Sequence, residues 1–134
     1  MRIHFLIIFL LWGFLSVVEA SFQKPNVIFI LADDMGLGKT LQILTFVQHL
    51  KNISPSTHLI VVPTTLLFNW ENEIRKFAPE LTAFYHYGID RQKDTSGFED
   101  YDLVFTTYGV LLRDIQMLRE FQFNYIILDE SQAI

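Results

Sequence analysis

Gly36-Leu37-Gly38-Lys39-Thr40 and, far downstream, Asp129-Glu130 are the places where residue types and spacing could do chemistry. Glycines let backbone N–H groups approach an anionic oxygen, and a helix opening there adds the positive end of its dipole. A lysine at the next position can reach the β and γ phosphates of a nucleotide, and a threonine hydroxyl after it can ligate Mg2+. An acidic pair delivered by a strand supplies the other half of such a site. Asp129 would hold Mg2+, often through water, and Glu130 would polarise an attacking water. The loop departs from Gly-x-x-x-x-Gly-Lys-Thr at one position, where Asp33 stands in place of the first glycine. Alone, Gly-Lys-Thr is also an ordinary strand-to-helix turn, and an acidic pair a solvated turn. Together they point to an NTPase.

The elements needed to position these groups can be read from the apolar runs. NVIFILA (26–32) is continuous, as expected of a strand buried on both faces of a parallel sheet. The loop 33–38 follows, then a helix over 39–52 with Leu41, Leu44 and Val47 spaced along it. HLIVV (58–62) is a second strand, stopped by Pro63, and Thr64 or Thr65 can cap a helix over 66–77. That helix carries Leu67, Trp70, Ile74 and Phe77 on one face, with Trp70 in the core. A third strand is expected at 81–87, a polar surface loop at 88–100, and a fourth strand at 101–106. Thr107 caps a helix over 108–120, and YIIL (125–128) runs into Asp129-Glu130-Ser131-Gln132. Alternating strands and helices give an α/β fold with a mainly parallel sheet and helices on both faces. Ligands bind such sheets at the carboxyl ends of the strands, where both loaded segments fall.

Composition narrows the chemistry. With no cysteine in 134 residues, a disulfide scaffold, a thiolate metal site and a cysteine nucleophile are excluded. The net charge is −5 and the ten basic residues are scattered, so no basic stripe announces nucleic acid. His49, His58 and His86 lack ligand spacing and are read as structural or surface residues. Residues 1–20 begin with Arg2, continue as an uncharged apolar run and close on Val18-Glu19-Ala20, the layout of a secretory signal peptide. The run is short of the ~20 residues of a spanning helix, so no stable membrane partner is expected.

Four stretches taken in order carry a resemblance. ADDMGLGKTLQ (32–42), LIVVPTTLLFNWENEIRKFAP (59–79), YDLVFTTYGVLLRD (101–114) and YIILDESQAI (125–134) resemble the first RecA-like, ATP-binding lobe of Swi/Snf-type DNA-dependent ATPases. In that family an acidic residue opens the loop, so Asp33 matches. The resemblance implies ATP and Mg2+ as cofactors and assigns Asp33, Asp34, Met35, Gly36, Leu37, Gly38, Lys39 and Thr40 to the nucleotide. It implies Thr40 and Asp129 for the metal, and Glu130 with Lys39 for catalysis. Pro63, Thr64, Thr65, Thr106 and Thr107 match segments that touch DNA phosphates, although Thr65 and Thr107 also read as plain helix caps. A second RecA-like lobe supplies arginines in the family and is missing here, so the lobe is expected to be truncated and weakly active or inactive alone.

Residues 1–36 resemble something else. A signal peptide followed by KPNVIFILADDMG (24–36) looks like the start of a secreted sulfatase, in which aspartates matching Asp33 and Asp34 bind calcium. The Cys/Ser-x-Pro-x-Arg stretch of that family is absent. The organisation expected is therefore a signal-like segment at 1–20, a sulfatase-like strand at 21–31 and a partial ATP-binding lobe at 32–134, a chimera joined at the shared LADDMG. Its compartment is contradictory, secreted by the leader and cytoplasmic or nuclear by the lobe. A secreted metal-binding fragment and a non-enzymatic DNA- or protein-binding module are the alternatives.

Overall fold

The computed structural model describes residues 26–30 and 37–129. Its strands are β1 (Asn26–Ile30), β2 (His58–Val62), β3 (Ala83–Tyr85), β4 (Leu103–Thr107) and β5 (Tyr125–Asp129). Its helices are α1 (Leu37–Ile53), α2 (Leu67–Phe77), α3 (Tyr108–Arg113) and α4 (Ile115–Leu118). The strands form one sheet in the order β1-β5-β2-β4-β3, and every pairing among them is parallel. The α/β lobe expected from the apolar runs is thus the architecture found.

Period-two alternation divides the sheet between two cores. Ile60, Val62, Leu103, Phe105 and Ile127 face Leu44, Val47, Trp70 and Ile74, which come from α1 and α2. Leu59, Val61, Val104, Ile126 and Leu128 face Leu111, Leu118, Phe98 and Phe123 on the other side. Both faces being covered, β2 and β4 are buried at every residue, including His58, Thr106 and Thr107, which sit beside the apolar runs LIVV and LVF.

Four local expectations are corrected. First, no threonine side chain caps α2: the chain enters it through a 3-10 turn at Thr64–Leu66, with the Leu66 N–H bonded to the Pro63 carbonyl at 2.9 Å. Second, the helix over 108–120 divides at Asp114, whose carboxylate is engaged by His86 and Arg91. Third, β3 is only three residues long, an edge strand paired with β4 alone. Fourth, the loop at 88–100 is not wholly superficial. Gly97 takes a left-handed φ of 84° and opens a 3-10 turn that drives Phe98 into the second core, fully buried. Thr107 does cap its helix as expected, its Oγ1 accepting from the Val110 N–H at 3.3 Å.

Candidate nucleotide site at the carboxyl edge of the sheet

Because all pairings are parallel, the carboxyl ends of β1, β5, β2 and β4 lie along one edge of the sheet. Strand β5 lies between β1 and β2, with Ile30 of β1 in register with Asp129. The end of β1, from which the glycine loop departs, is therefore adjacent to the strand end that presents the acid. A chain separation of about a hundred residues becomes a single strand spacing.

Helix α1 begins at Leu37, so Gly38, Lys39 and Thr40 form its first turn, where backbone N–H groups have no partner within the helix. No acidic residue stands in that turn to use up the positive end of the dipole. Leu44 and Val47, buried in the first core, fix the helix on the sheet. Gly38 has neither a positive φ nor a packing reason for lacking a side chain, since a Cβ there would meet nothing within 4 Å. Lys39 and Thr40 are half-buried beside it.

Asp129 is nine-tenths buried, at 8% exposure. Its Oδ2 accepts from the Trp70 indole Nε1 at 2.7 Å, and its backbone carbonyl accepts from the Tyr108 hydroxyl at 2.6 Å. Trp70 is itself pinned against Phe105, with ring centroids 5.5 Å apart. Reading Trp70 as part of an apolar stripe found its burial but missed its bond. The available signal was general: a buried indole N–H needs an acceptor.

The segments matched to DNA contacts also meet at this edge, because Val62 pairs with Thr107. Pro63 is half-buried, and Thr64 and Thr65 are exposed. Thr106 and Thr107 are buried and their hydroxyls are engaged. Thr106 Oγ1 donates to the His86 carbonyl at 3.0 Å, and Thr107 Oγ1 serves as the helix cap. The 63–65 turn thus offers exposed hydroxyls, whereas 106–107 supports the edge from within.

A second polar cluster holds the neighbouring loop. Asp114 accepts from Arg91 Nε at 2.5 Å and Nη2 at 2.9 Å, a forked pairing, and lies 2.7 Å from His86 Nε2. The Arg91 hydrogen bond, helped by His86 and opposed by burial, pushes the Asp114 carboxyl down to about 2. His86, read from sequence as isolated, is fully buried here, and no spacing rule joins residues 86, 91 and 114.

Asp33, Asp34, Met35, Gly36 and Glu130 lie outside the described residues, as do residues 1–25. Among the described residues no group of three His, Asp or Glu side chains could hold a metal ion unaided. One hydroxyl and one carboxylate suit Mg2+ completed by phosphate and water, since Mg2+ commonly takes one or two protein carboxylates. The donor set of Thr40 and Asp129 fits that pattern, and the open space at Gly38 fits a phosphate.

Comparison with known proteins places the sheet in a family. The SNF2-related domain family matches residues 17–134. A putative ATP-dependent helicase/translocase of Bacillus subtilis, YwqA, is 42% identical over 109 residues, covering 78% of this chain and 12% of that protein. The ATP-dependent helicase FUN30 of Saccharomyces cerevisiae is 38% identical over 115 residues, covering 78% of this chain and 10% of that protein. Among solved structures, the SWI2/SNF2 ATPase core of Sulfolobus solfataricus in complex with double-stranded DNA aligns with a TM-score of 0.68 and 45% identity. It covers 80% of this chain and 22% of its own. The chain therefore spans about a tenth of the length of these curated relatives. The family match starts at residue 17 and takes in β1, a member of the same parallel sheet; a sulfatase origin for that strand gains no support. With the parallel sheet, the site at its edge and the match over residues 17–134, the chain belongs to the SNF2-related domain family.

Proposed function

We propose that this chain is the ATP-binding lobe of a Swi/Snf-type, DNA-dependent ATPase. The observation that carries the reading is the register of Ile30 with Asp129, which brings the end of the strand before the glycine loop beside the acid. The first turn of α1 directs its backbone N–H groups toward the phosphates, and the absent Cβ of Gly38 leaves room for them. Lys39 binds the β and γ phosphates as a point charge. Mg2+, held by Thr40 and Asp129, would neutralise charge on those phosphates. Glu130, the next residue in sequence, takes the role of orienting and polarising water. The loop residues Asp33, Asp34, Met35, Gly36 and Leu37 complete the nucleotide cradle on the strength of the sequence match.

Duplex DNA is the proposed partner, contacted at phosphates by the exposed 63–65 turn. Its support is the Sulfolobus relative, whose structure was solved with double-stranded DNA. Turnover and translocation need a second lobe with its arginines, so the lobe alone binds nucleotide and hydrolyses it slowly or not at all. Work on chromosomal DNA belongs in the cytoplasm or nucleus, and a secretory role for residues 1–20 gains no support from the relatives.

The test is nucleotide titration of the full chain against Lys39→Ala. A loss of about ten-fold or more in affinity for ATP, the value of one charge-assisted phosphate contact, is expected. Equal affinity in both proteins would sink the assignment.

A further inference from the structure

Two side chains that reach Asp129 come from the helices that follow the exposed 63–65 turn, the proposed DNA contact, and the buried 106–107 segment beside it. Trp70 lies on α2, which begins two residues after the exposed Thr65. Tyr108 is the first residue of α3 and follows directly on Thr107. The indole N–H of Trp70 holds a carboxylate oxygen of Asp129 at 2.7 Å, and the Tyr108 hydroxyl holds its backbone carbonyl at 2.6 Å. The first bond sets the rotation of the carboxylate, and the second fixes the backbone from which it projects. We infer that Trp70 and Tyr108 are positioning residues through which contact at the 63–65 turn, directly along α2 and by way of the neighbouring 106–107 segment, sets the Mg2+-binding geometry of Asp129.

The physical case rests on stiffness and chemistry. Trp70 is 2% exposed and wedged against Phe105, so it has little freedom to move independently of α2. An indole N–H is a neutral donor with no acceptor capacity. It therefore orients the Asp129 carboxylate without itself neutralising its charge. Tyr108 couples differently, since α3 is capped by Thr107 itself and any shift of 106–107 carries Tyr108 with it. Displacement of the 63–65 turn by a bound phosphate is thus transmitted to one acid along α2 and, because Val62 pairs with Thr107, through the neighbouring 106–107 segment. Such coupling requires that the segment move between two arrangements, which the experiment reads directly.

The inference rests on the nucleotide-site reading above, and its test separates the two. A fluorescent ATP analogue is titrated into the full chain in Mg2+ and in EDTA, each with and without a DNA duplex, for wild type, Trp70→Phe, Tyr108→Phe and Lys39→Ala. Each aromatic substitution removes one hydrogen bond and is expected to cut the Mg2+-dependent gain in affinity by about five-fold, while affinity in EDTA stays that of wild type. The effect of duplex on the Mg2+-dependent gain shrinks in the same two variants. In nitrogen-15 spectra of wild type, the Trp70 indole resonance moves on adding duplex, and it moves when Asp129→Asn is introduced. Should Trp70→Phe fail to fold, Tyr108→Phe, which loses one oxygen from a half-buried ring, carries the test. Equal losses in Mg2+ and EDTA would reduce both residues to packing and overturn the inference, as would an undiminished Mg2+ gain in both variants. Unchanged nucleotide affinity in Lys39→Ala would instead remove the site reading underneath it.

Discussion

Asp102 and Asp129 are buried carboxylates at opposite edges of one sheet, and the hydrogen bonds that reach them come from different parts of the fold. Asp102, at the amino edge, has its Oδ2 on Lys51 Nζ and the Thr82 N–H, both at 2.9 Å, with the Thr82 hydroxyl at 3.1 Å. The Asp102 N–H returns a bond to the Thr82 carbonyl at 3.0 Å, and Lys51 reaches the Glu80 carbonyl as well. Further along the same edge, Asn26 and Asn124 are bonded together, and Thr57 Oγ1 donates to the carbonyls of Phe98 and Tyr101. These groups close on one another and tie strand entrances together. At the carboxyl edge, by contrast, Asp129 accepts from an indole on α2 and its carbonyl from a tyrosine on α3, the helices that follow the 63–65 turn and the buried 106–107 segment. On the proposed reading, the contrast separates an acid that serves the fold from one held in place for Mg2+.

Breaking each side in turn sharpens the contrast. Trp70→Ala empties a core position as well as removing the bond to Asp129, and should cost about 3–5 kcal/mol in urea unfolding. Asp102→Ala strands Lys51 and the Thr82 N–H and should cost about 2–3 kcal/mol by the same measurement. Nucleotide affinity in Mg2+ should nonetheless survive Asp102→Ala under conditions where the protein remains folded. A large loss there would mean that the two edges do not divide the labour.

The smallest expected effects lie in pH, and the two edges differ there too. Arg91 holds the Asp114 carboxyl down at about 2, so its contribution to stability is present above the ordinary value of 3.8 and is lost as pH falls toward 2. Burial lowers the pKa of His58 at the amino edge, with Asp102 opposing. His58 therefore contributes stability above pH 6.5 that is lost as pH falls through its depressed value. Unfolding free energy measured from pH 7.5 downward should show a first decline below pH 6.5 that His58→Gln flattens. A second decline below pH 4 should be flattened by Asp114→Asn. A single decline unaffected by either substitution would contradict both assignments.

Much of this was legible in the sequence where one local signal sufficed. HLIVV followed by proline gave β2 its observed bounds, because burial on both faces forces a run of apolar β-branched residues and proline ends it. The helix expected at 108–120 divides at Asp114, whose carboxylate meets Arg91 and His86, three residues brought together only by the fold. Chemical complementarity alone suggested the glycine loop and the acidic pair as partners. That Ile30 stands opposite Asp129 depends on strand order, which no spacing encodes. Trp70 shows the same division: its helical stripe revealed that it is buried, and only the sheet edge revealed which acceptor its indole finds.

The most direct measurement compares the Mg2+ dependence of ATP binding in Asp129→Asn and Asp102→Asn, each in the full chain, by titration in Mg2+ and in EDTA. The account predicts that Asp129→Asn abolishes the tightening brought by Mg2+ while leaving EDTA affinity unchanged, and that Asp102→Asn keeps the tightening of wild type. Retention of the full Mg2+ effect in Asp129→Asn, or its loss in Asp102→Asn alone, would contradict the placement of the nucleotide site at the carboxyl edge.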